Sequence, residues 1–183
     1  SFEIKHIEPS QSLYEWNRIL RDKVTSAFIL KPQNVVVWVN TSKPYNKEYC
    51  IENNLEVYEL TSGGGTIVSN KGDLQLAICL PNHLQIGTSF MLDSIAKMLG
   101  KYLNSVEIVG NDILVDGKKV YGISSVSQND MTLFVMQFSF TDNSELIDTI
   151  CHFDSTPAKE PYYITEFDVN TLENEVIAWL TST

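Results

Sequence analysis

Gly110-Asn-Asp-Ile-Leu-Val115-Asp-Gly-Lys-Lys-Val120-Tyr-Gly122 is the stretch that decides the fold. Asp116-Gly117 supplies the positive φ angles that a two-residue hairpin turn demands. Apolar residues flank it on both sides, so the segment reads as two antiparallel strands. Counting outward from that turn places Val115 opposite Lys118, Leu114 opposite Lys119 and Asp112 opposite Tyr121. Lys119 and Asp112 then become diagonal neighbours on one face, and Lys118 points the other way.

Working outward, helix and strand patterns alternate without a repeat, a low-complexity tract or a linker. Ser10 to Val24 carries Leu13, Trp16, Ile19, Leu20 and Val24 at helical spacing. A strand at Ala27 to Leu30 follows, and Val35 to Val39 is a β-branched run typical of a buried central strand. Pro44 to Asn53 reads as a short helix and Leu55 to Leu60 as a strand. Strands flank a turn near Asn70 to Gly72, the second being Leu74 to Leu80. Thr88 to Leu103 is the longest helical pattern, with Phe90, Met91, Ile95, Met98, Leu99 and Leu103 on one side. Leu133 to Phe140 reads as a strand, Asn143 to Ile150 as a short helix and Leu172 to Leu180 as a last helix. Trp16, Trp38 and Trp179 sit inside apolar patterns and are expected in the core. Mixed elements rich in hairpins predict an α+β domain around a mixed, largely antiparallel sheet packed with helices.

Composition narrows the function classes. The chain has 183 residues, of which 43% are hydrophobic and 20% charged. At about 150 residues per domain this predicts a single domain over 1–183. Thirteen basic against 23 acidic residues give a net charge of −10. Binding nucleic acid through many phosphates needs clustered Lys and Arg, so no nucleic-acid partner is expected. No apolar run approaches the roughly 20 residues that span a bilayer, so no membrane partner is expected either. Cys50, Cys79 and Cys151 show no CxxC or Cys/His spacing, which predicts no structural metal and fits a reducing, cytoplasmic compartment.

Two features can carry chemistry. Ser62-Gly63-Gly64-Gly65-Thr66 is a loop whose backbone N–H groups can face an anion, because glycine leaves the backbone open to a ligand. It matches neither GxxxxGK[ST] nor GxGxxG. Taken alone, it reads equally as a flexible connection. The second feature is the lysine pair of the hairpin, which alone reads equally as a solvated tip.

Together and in this order, TSGGGTIVSNKGDL (61–74), a helix and VGNDILVDGKKVYG (109–122) resemble the catalytic domain of lipoate–protein ligases and their relatives, the biotin–protein ligases and octanoyltransferases. YITEFDVNTLENEVIAWL (163–180) is similar to the end of that domain, a short strand leading into a last helix. The length matches one such catalytic domain. The resemblance implies the biotin/lipoyl ligase fold and an acyl-activation site. A carboxylic acid (lipoate, octanoate or biotin) would be joined to ATP as an acyl-adenylate and passed to a lysine of a small carrier protein. It implies Lys119 as the electrostatic catalyst. Ser62, Gly63, Gly64, Gly65, Thr66 and Gly122 would line the substrate pocket. Asn111 and Asp112 would hold the nucleotide and its Mg. Such carriers are usually acidic, so docking on a chain of charge −10 calls for lysines gathered around the pocket.

The chain departs from that pattern in places. Glu59-Leu60 stands where the ligases carry an arginine pair, Ser69-Asn70 replaces a His-Asp pair, and Asp73 replaces an asparagine. Two alternatives therefore stay open. One is a non-catalytic descendant of the fold that binds a ligand or a protein. The other is an ATP-independent acyltransferase in which Cys151, 32 residues after Lys119, carries the acyl group as a thioester beside that lysine.

Overall fold

The sheet around the hairpin is built from strands distant in sequence. The computed structural model describes residues 2–60, 65–151 and 160–182. Among them the strands are β1 (Glu3–His6), β2 (Ser26–Leu30), β3 (Val36–Asn40), β4 (Glu56–Leu60), β5 (Ile67–Ser69), β6 (Leu74–Pro81), β7 (Val106–Val109), β8 (Asp112–Val115), β9 (Lys118–Gln128) and β10 (Met131–Phe138). The helices are α1 (Ser12–Asp22), α2 (Lys47–Glu52), α3 (Thr88–Leu99), α4 (Ser144–Ile150) and α5 (Val169–Thr181). The strands form two sheets: one of seven strands, in the order β1-β2-β6-β10-β9-β8-β7, and one of three, β4-β3-β5. Pairing is antiparallel except for β1 with β2 and β3 with β4. The α+β class and the largely antiparallel pairing follow the sequence expectation, with the sheet divided in two.

Each face of the large sheet packs on a different partner, because successive side chains of a strand point to opposite faces. Leu74, Leu76, Ile78 and Leu80 of β6 meet Phe134, Met136 and Phe138 of β10, and α3 and α5 cover them with Met91, Ile95, Leu99, Leu172 and Val176. The alternate residues Ala77, Cys79, Leu133 and Val135 pack on Trp16, Ile19 and Leu20 of α1 and on Val36 and Trp38 of β3. Val37 and Val39, on the far side of β3, pack on Cys50 and Ile150 from α2 and α4. The apolar run of β3 is thus buried on both faces and is the middle strand of the small sheet.

Local signals set the helix ends. Lys23 closes α1 in the left-handed region at φ 55°. Asp168 caps α5 by accepting the Thr171 N–H at 2.8 Å. α3 stops at Gly100, short of the expected Leu103. The strand expected just before α5 is absent. Residues 160–164 instead hydrogen-bond singly: Lys119 N–H donates to Glu160 O, Tyr162 N–H to Lys119 O and Ile164 N–H to Ser139 O. No helix among the described residues is long and apolar enough to cross a membrane.

Candidate functional site

The turn forms as its residues predict, with Asp116 at φ 52° and Gly117 at φ 76°. Val115 pairs with Lys118 and Leu114 with Lys119. The register then slips by one, so that Ile113 faces Tyr121 and Asp112 faces Gly122. The expected pairing of Asp112 with Tyr121 is therefore corrected by one residue. Val120 is the extra residue, a β-bulge. Its neighbour Lys119 is held on the side away from β8, where Glu160 O accepts its N–H at 2.8 Å and its carbonyl accepts Tyr162 N–H at 2.7 Å.

The bulge has a direct effect on the lysine. In a regular strand Lys119 and Tyr121 would share a face; with one residue inserted, Lys119 and Gly122 do. The Lys119 side chain lies over Gly122. A Cβ on Gly122 would stand 2.7 Å from Lys119 Cε and 2.8 Å from Nζ. Space rather than backbone angle therefore calls for glycine here. The Lys119 ammonium lies 3.1 Å from Asp112 Oδ1, with both side chains partly open to solvent.

Lys119 and Gly122 line a cavity of about 500 Å3, together with Gly65, Thr66 and Gln137. Its apolar wall includes Ile67, Val120, Val135 and Ile147. A second hollow of about 350 Å3, walled by Trp16, Leu20 and Leu133, shares Gly65, Ile67, Ser124 and Val135 with the first. A space with a cation at one end and an apolar wall beyond it suits a ligand with an anionic head and a hydrocarbon stem.

The other expected site residues are placed as follows. Ser62, Gly63 and Gly64 lie outside the described residues, as does His152. Asn111 is exposed at the β7–β8 turn, next to Gly110 at φ 61°. Cys151 closes α4 and packs against the cluster that holds Cys50 and Val68, and it is not among the residues lining the Lys119 cavity. Burial raises the thiol pKa of Cys50 and pushes that of Cys79 up to about 11. All three cysteines are free thiols.

Two residues, Lys43 and Gln137, add to the site beyond the sequence reading. Lys43 follows β3 in a tight turn in which Asn40 Oδ1 accepts from Ser42 N–H and Oγ–H. Its ammonium stands 3.9 Å from where a Gly65 Cβ would lie. No local pattern marks it, because the contact is made across the small sheet. Gln137 projects from β10 on the cavity side, and the buried Ser69 donates its Oγ–H to Gln137 Oε1 at 2.8 Å. The one legible hint was a polar residue inside an apolar strand.

Asp73 has a different role. It is fully buried, and its Oδ1 accepts from the Phe140 and Thr141 amides. Its Oδ2 accepts from Asn70 N–H and Asn143 Nδ2–H. Burial pushes this carboxyl above its ordinary range, and the hydrogen bonds pull it part of the way back. It ties the β5–β6 turn to the segment entering α4, and so holds together two walls of the cavity.

Comparison with known proteins bears on the family and the fold. The family described as lipoyl protein ligase A/B catalytic domain matches residues 16–179. No curated protein matches. Among solved structures, LipL1 of P. falciparum in complex with lipoate superposes with a TM-score of 0.84 at 16% identity, over 100% of this chain and 62% of that one. The bi-partite lipoate protein ligase of Thermoplasma acidophilum, described with its E2 lipoyl domain, gives 0.78 at 15%, over 100% and 83%. Lipoate-protein ligase A bound with ATP gives 0.76 at 15%, over 100% and 85%. This chain thus spans less than two thirds of the LipL1 chain. At these identities the likeness establishes the fold, which is that of the lipoate and biotin ligase catalytic domain.

Proposed function

Since the chain belongs to the lipoyl protein ligase A/B catalytic-domain family, we propose that it activates a carboxylic acid such as lipoate, octanoate or biotin as an acyl-adenylate. It then transfers the acyl group to a lysine of a small carrier protein. The observation that carries this reading is Lys119, held over Gly122 at the charged end of a cavity with an apolar wall. In the first step a carboxylate oxygen attacks the α-phosphorus of ATP, the bond to pyrophosphate breaks and pyrophosphate leaves. In the second, the carrier amine attacks the acyl carbon, AMP leaves and the amine loses a proton. Negative charge gathers on the carboxylate and α-phosphate oxygens in both steps. A fixed ammonium beside them lowers the barrier without reorganising at the moment of reaction.

The neighbours of Lys119 fit supporting roles. Gly65 and Thr66 would lie against the acyl and adenylate groups, together with Ser62, Gly63 and Gly64. Lys43 brings positive charge to the Gly65 side of the cavity, in a chain that has Glu59-Leu60 in place of an arginine pair. Mg2+ commonly takes one or two carboxylates and fills its shell with phosphate oxygens and water. No group of three or more His, Cys, Asp or Glu able to hold a metal occurs among the described residues. Asp112 with Asn111 therefore fits an ion that arrives with ATP and that neutralises phosphate charge when bound. The exposed Lys118 at the hairpin tip offers an acidic carrier a local positive contact. Free cysteines suit a reducing cytoplasm.

The test is incubation with ATP, Mg2+, each acid in turn and an apo lipoyl carrier domain, read by intact mass. The carrier should gain the mass of one acyl group, with release of pyrophosphate. Acid binding without adenylate would identify a ligand-binding descendant instead. Acyl transfer without ATP that is lost in Cys151→Ala would identify the thioester route.

A further inference from the structure

One rung of the large sheet runs across five strands. Leu30, Gln75, Gln137, Gly122 and Asp112 are successive Cα partners on β2, β6, β10, β9 and β8. Partners in register share a face. Gln75, Gln137 and Asp112 therefore stand in a row on the cavity side, with the Lys119 side chain laid over the gap that Gly122 leaves. Elsewhere on this face β6 and β10 carry Ala77, Cys79, Leu133 and Val135, all apolar. The polar row is confined to the end beside Lys119.

Within the row, Gln137 has an unused donor. A carboxamide offers two N–H donors and one acceptor oxygen. Ser69 donates to Gln137 Oε1, and in this arrangement both amide N–H donors are left for other partners. Gln137 Nε2 is buried with no partner, and so is Nε2 of the almost fully buried Gln75 behind it. A buried donor without an acceptor is costly, and native proteins rarely keep one without a reason. Gln137 lines the same cavity as Lys119, on the strand next to Gly122. The acidic residues that also line this cavity, Asp148 and Glu160, are exposed at its mouth, and Glu160 lies 3.6 Å from Lys118.

We propose that the Gln137 carboxamide, oriented by Ser69, is a second contact to the carboxylate of the bound acid, donating Nε2–H to one oxygen while Lys119 faces the other. This rests on the acid-activating reading above and extends it: Gln137 selects ligands by the carboxylate head rather than by the stem. Lys119 gives charge, and Gln137 gives direction. Two donors from adjacent strands hold a planar carboxylate in one plane, leaving its lone pairs aimed at the α-phosphorus. Gln137 is thus a binding and positioning residue.

The experiment measures affinity without nucleotide, by calorimetry, for octanoate and lipoate and for the uncharged octanol. Gln137→Leu should weaken octanoate binding about tenfold and leave octanol within about twofold. Gln137→Glu should lose the acid more completely, through like charge, while keeping the shape of the side chain. Ser69→Ala should fall between wild type and Gln137→Leu. Thermal unfolding of Gln137→Leu should stay close to wild type, since loss of a buried unpaired amide N–H offsets the acceptor that the buried Ser69 hydroxyl loses. Octanoate affinity unchanged in Gln137→Leu and Gln137→Glu would overturn the proposal. So would equal losses for octanoate and octanol, which would mark a merely structural role. A wild-type protein that binds the acids through Gln137 but forms no adenylate would defeat the ligase reading and leave this contact standing.

Discussion

The two faces of the large sheet are made by the same strands, and they differ in a single respect. Toward α3 and α5, β6 and β10 present apolar side chains from Leu74 and Phe138 at one end as far as Leu80, where Thr132 stands opposite at the rim. Toward α1 and the small sheet they present an apolar surface that gives way, at one end, to Gln75 and Gln137. The first face is sealed by helices. The second opens at that end into the cavity of Lys119. Stability and chemistry are thus divided between alternate residues of one strand, one position apart.

Substitutions should separate the two. Phe138→Ala on the sealed face, where the ring is fully buried, should cost about 4 kcal/mol of stability in urea unfolding, while the protein that remains folded keeps its acid affinity. On the open face, Lys119→Ala should slow carrier acylation by about 10²–10³-fold, with the unfolding midpoint unmoved. If it instead destabilises as much as Phe138→Ala, the division fails. Asp73→Asn tests the join between the walls. It replaces one acceptor oxygen by a donor that faces N–H groups, and should cost about 2 kcal/mol in the same unfolding assay although a buried charge is removed. Gly122→Ala should displace the Lys119 ammonium and cut kcat about tenfold, with a near-normal melting temperature, because the strain falls on a side chain end. The smallest effect is expected at Lys43. Lys43→Ala should raise KM for ATP about threefold with kcat unchanged, and the difference should shrink at high salt.

How much of this was legible depends on how local the cause was. The Asp116-Gly117 turn was readable because two residues fix it. The VVVWV run announced a strand buried on both sides, and the periodic residues of α1, α3 and α5 announced their buried stripes. β1 and β7 escaped notice. Glu3–His6 has no apolar alternation and is a strand only because β2 lies beside it, and Val106–Val109 is a short edge strand with an exposed outer side. The division into two sheets was also hidden, since β5 and β6 flank one turn yet pair with different partners. At the site, Lys119, Asp112 and Gly122 could be named from their order along the chain. The slip of one residue that brings them together could not, because residues 160–162, some forty positions away, hold Lys119 in place. Lys43 reaches Gly65 across the small sheet and Ser69 reaches Gln137 from one sheet to the other, so neither contact follows from local spacing.

The bulge at Val120 also bears on how this hairpin can change by insertion and deletion. Residues added between Asp116 and Gly117 would lengthen a solvent loop and leave both strands in phase. Removing Val120 would act inside the strand and leave a regular ladder from Lys118 to Gly122. The pairing from Tyr121 onward is anchored by eight successive partners on β10, so the lost residue would have to be absorbed before it. Lys119 would stay opposite Leu114 and on the face of Gly122, now its next neighbour but one as in a regular strand, and the cavity would lose Val120 from its apolar wall. A hairpin of this kind can gain residues at its tip, or lose its bulge, with the lysine still on the cavity face.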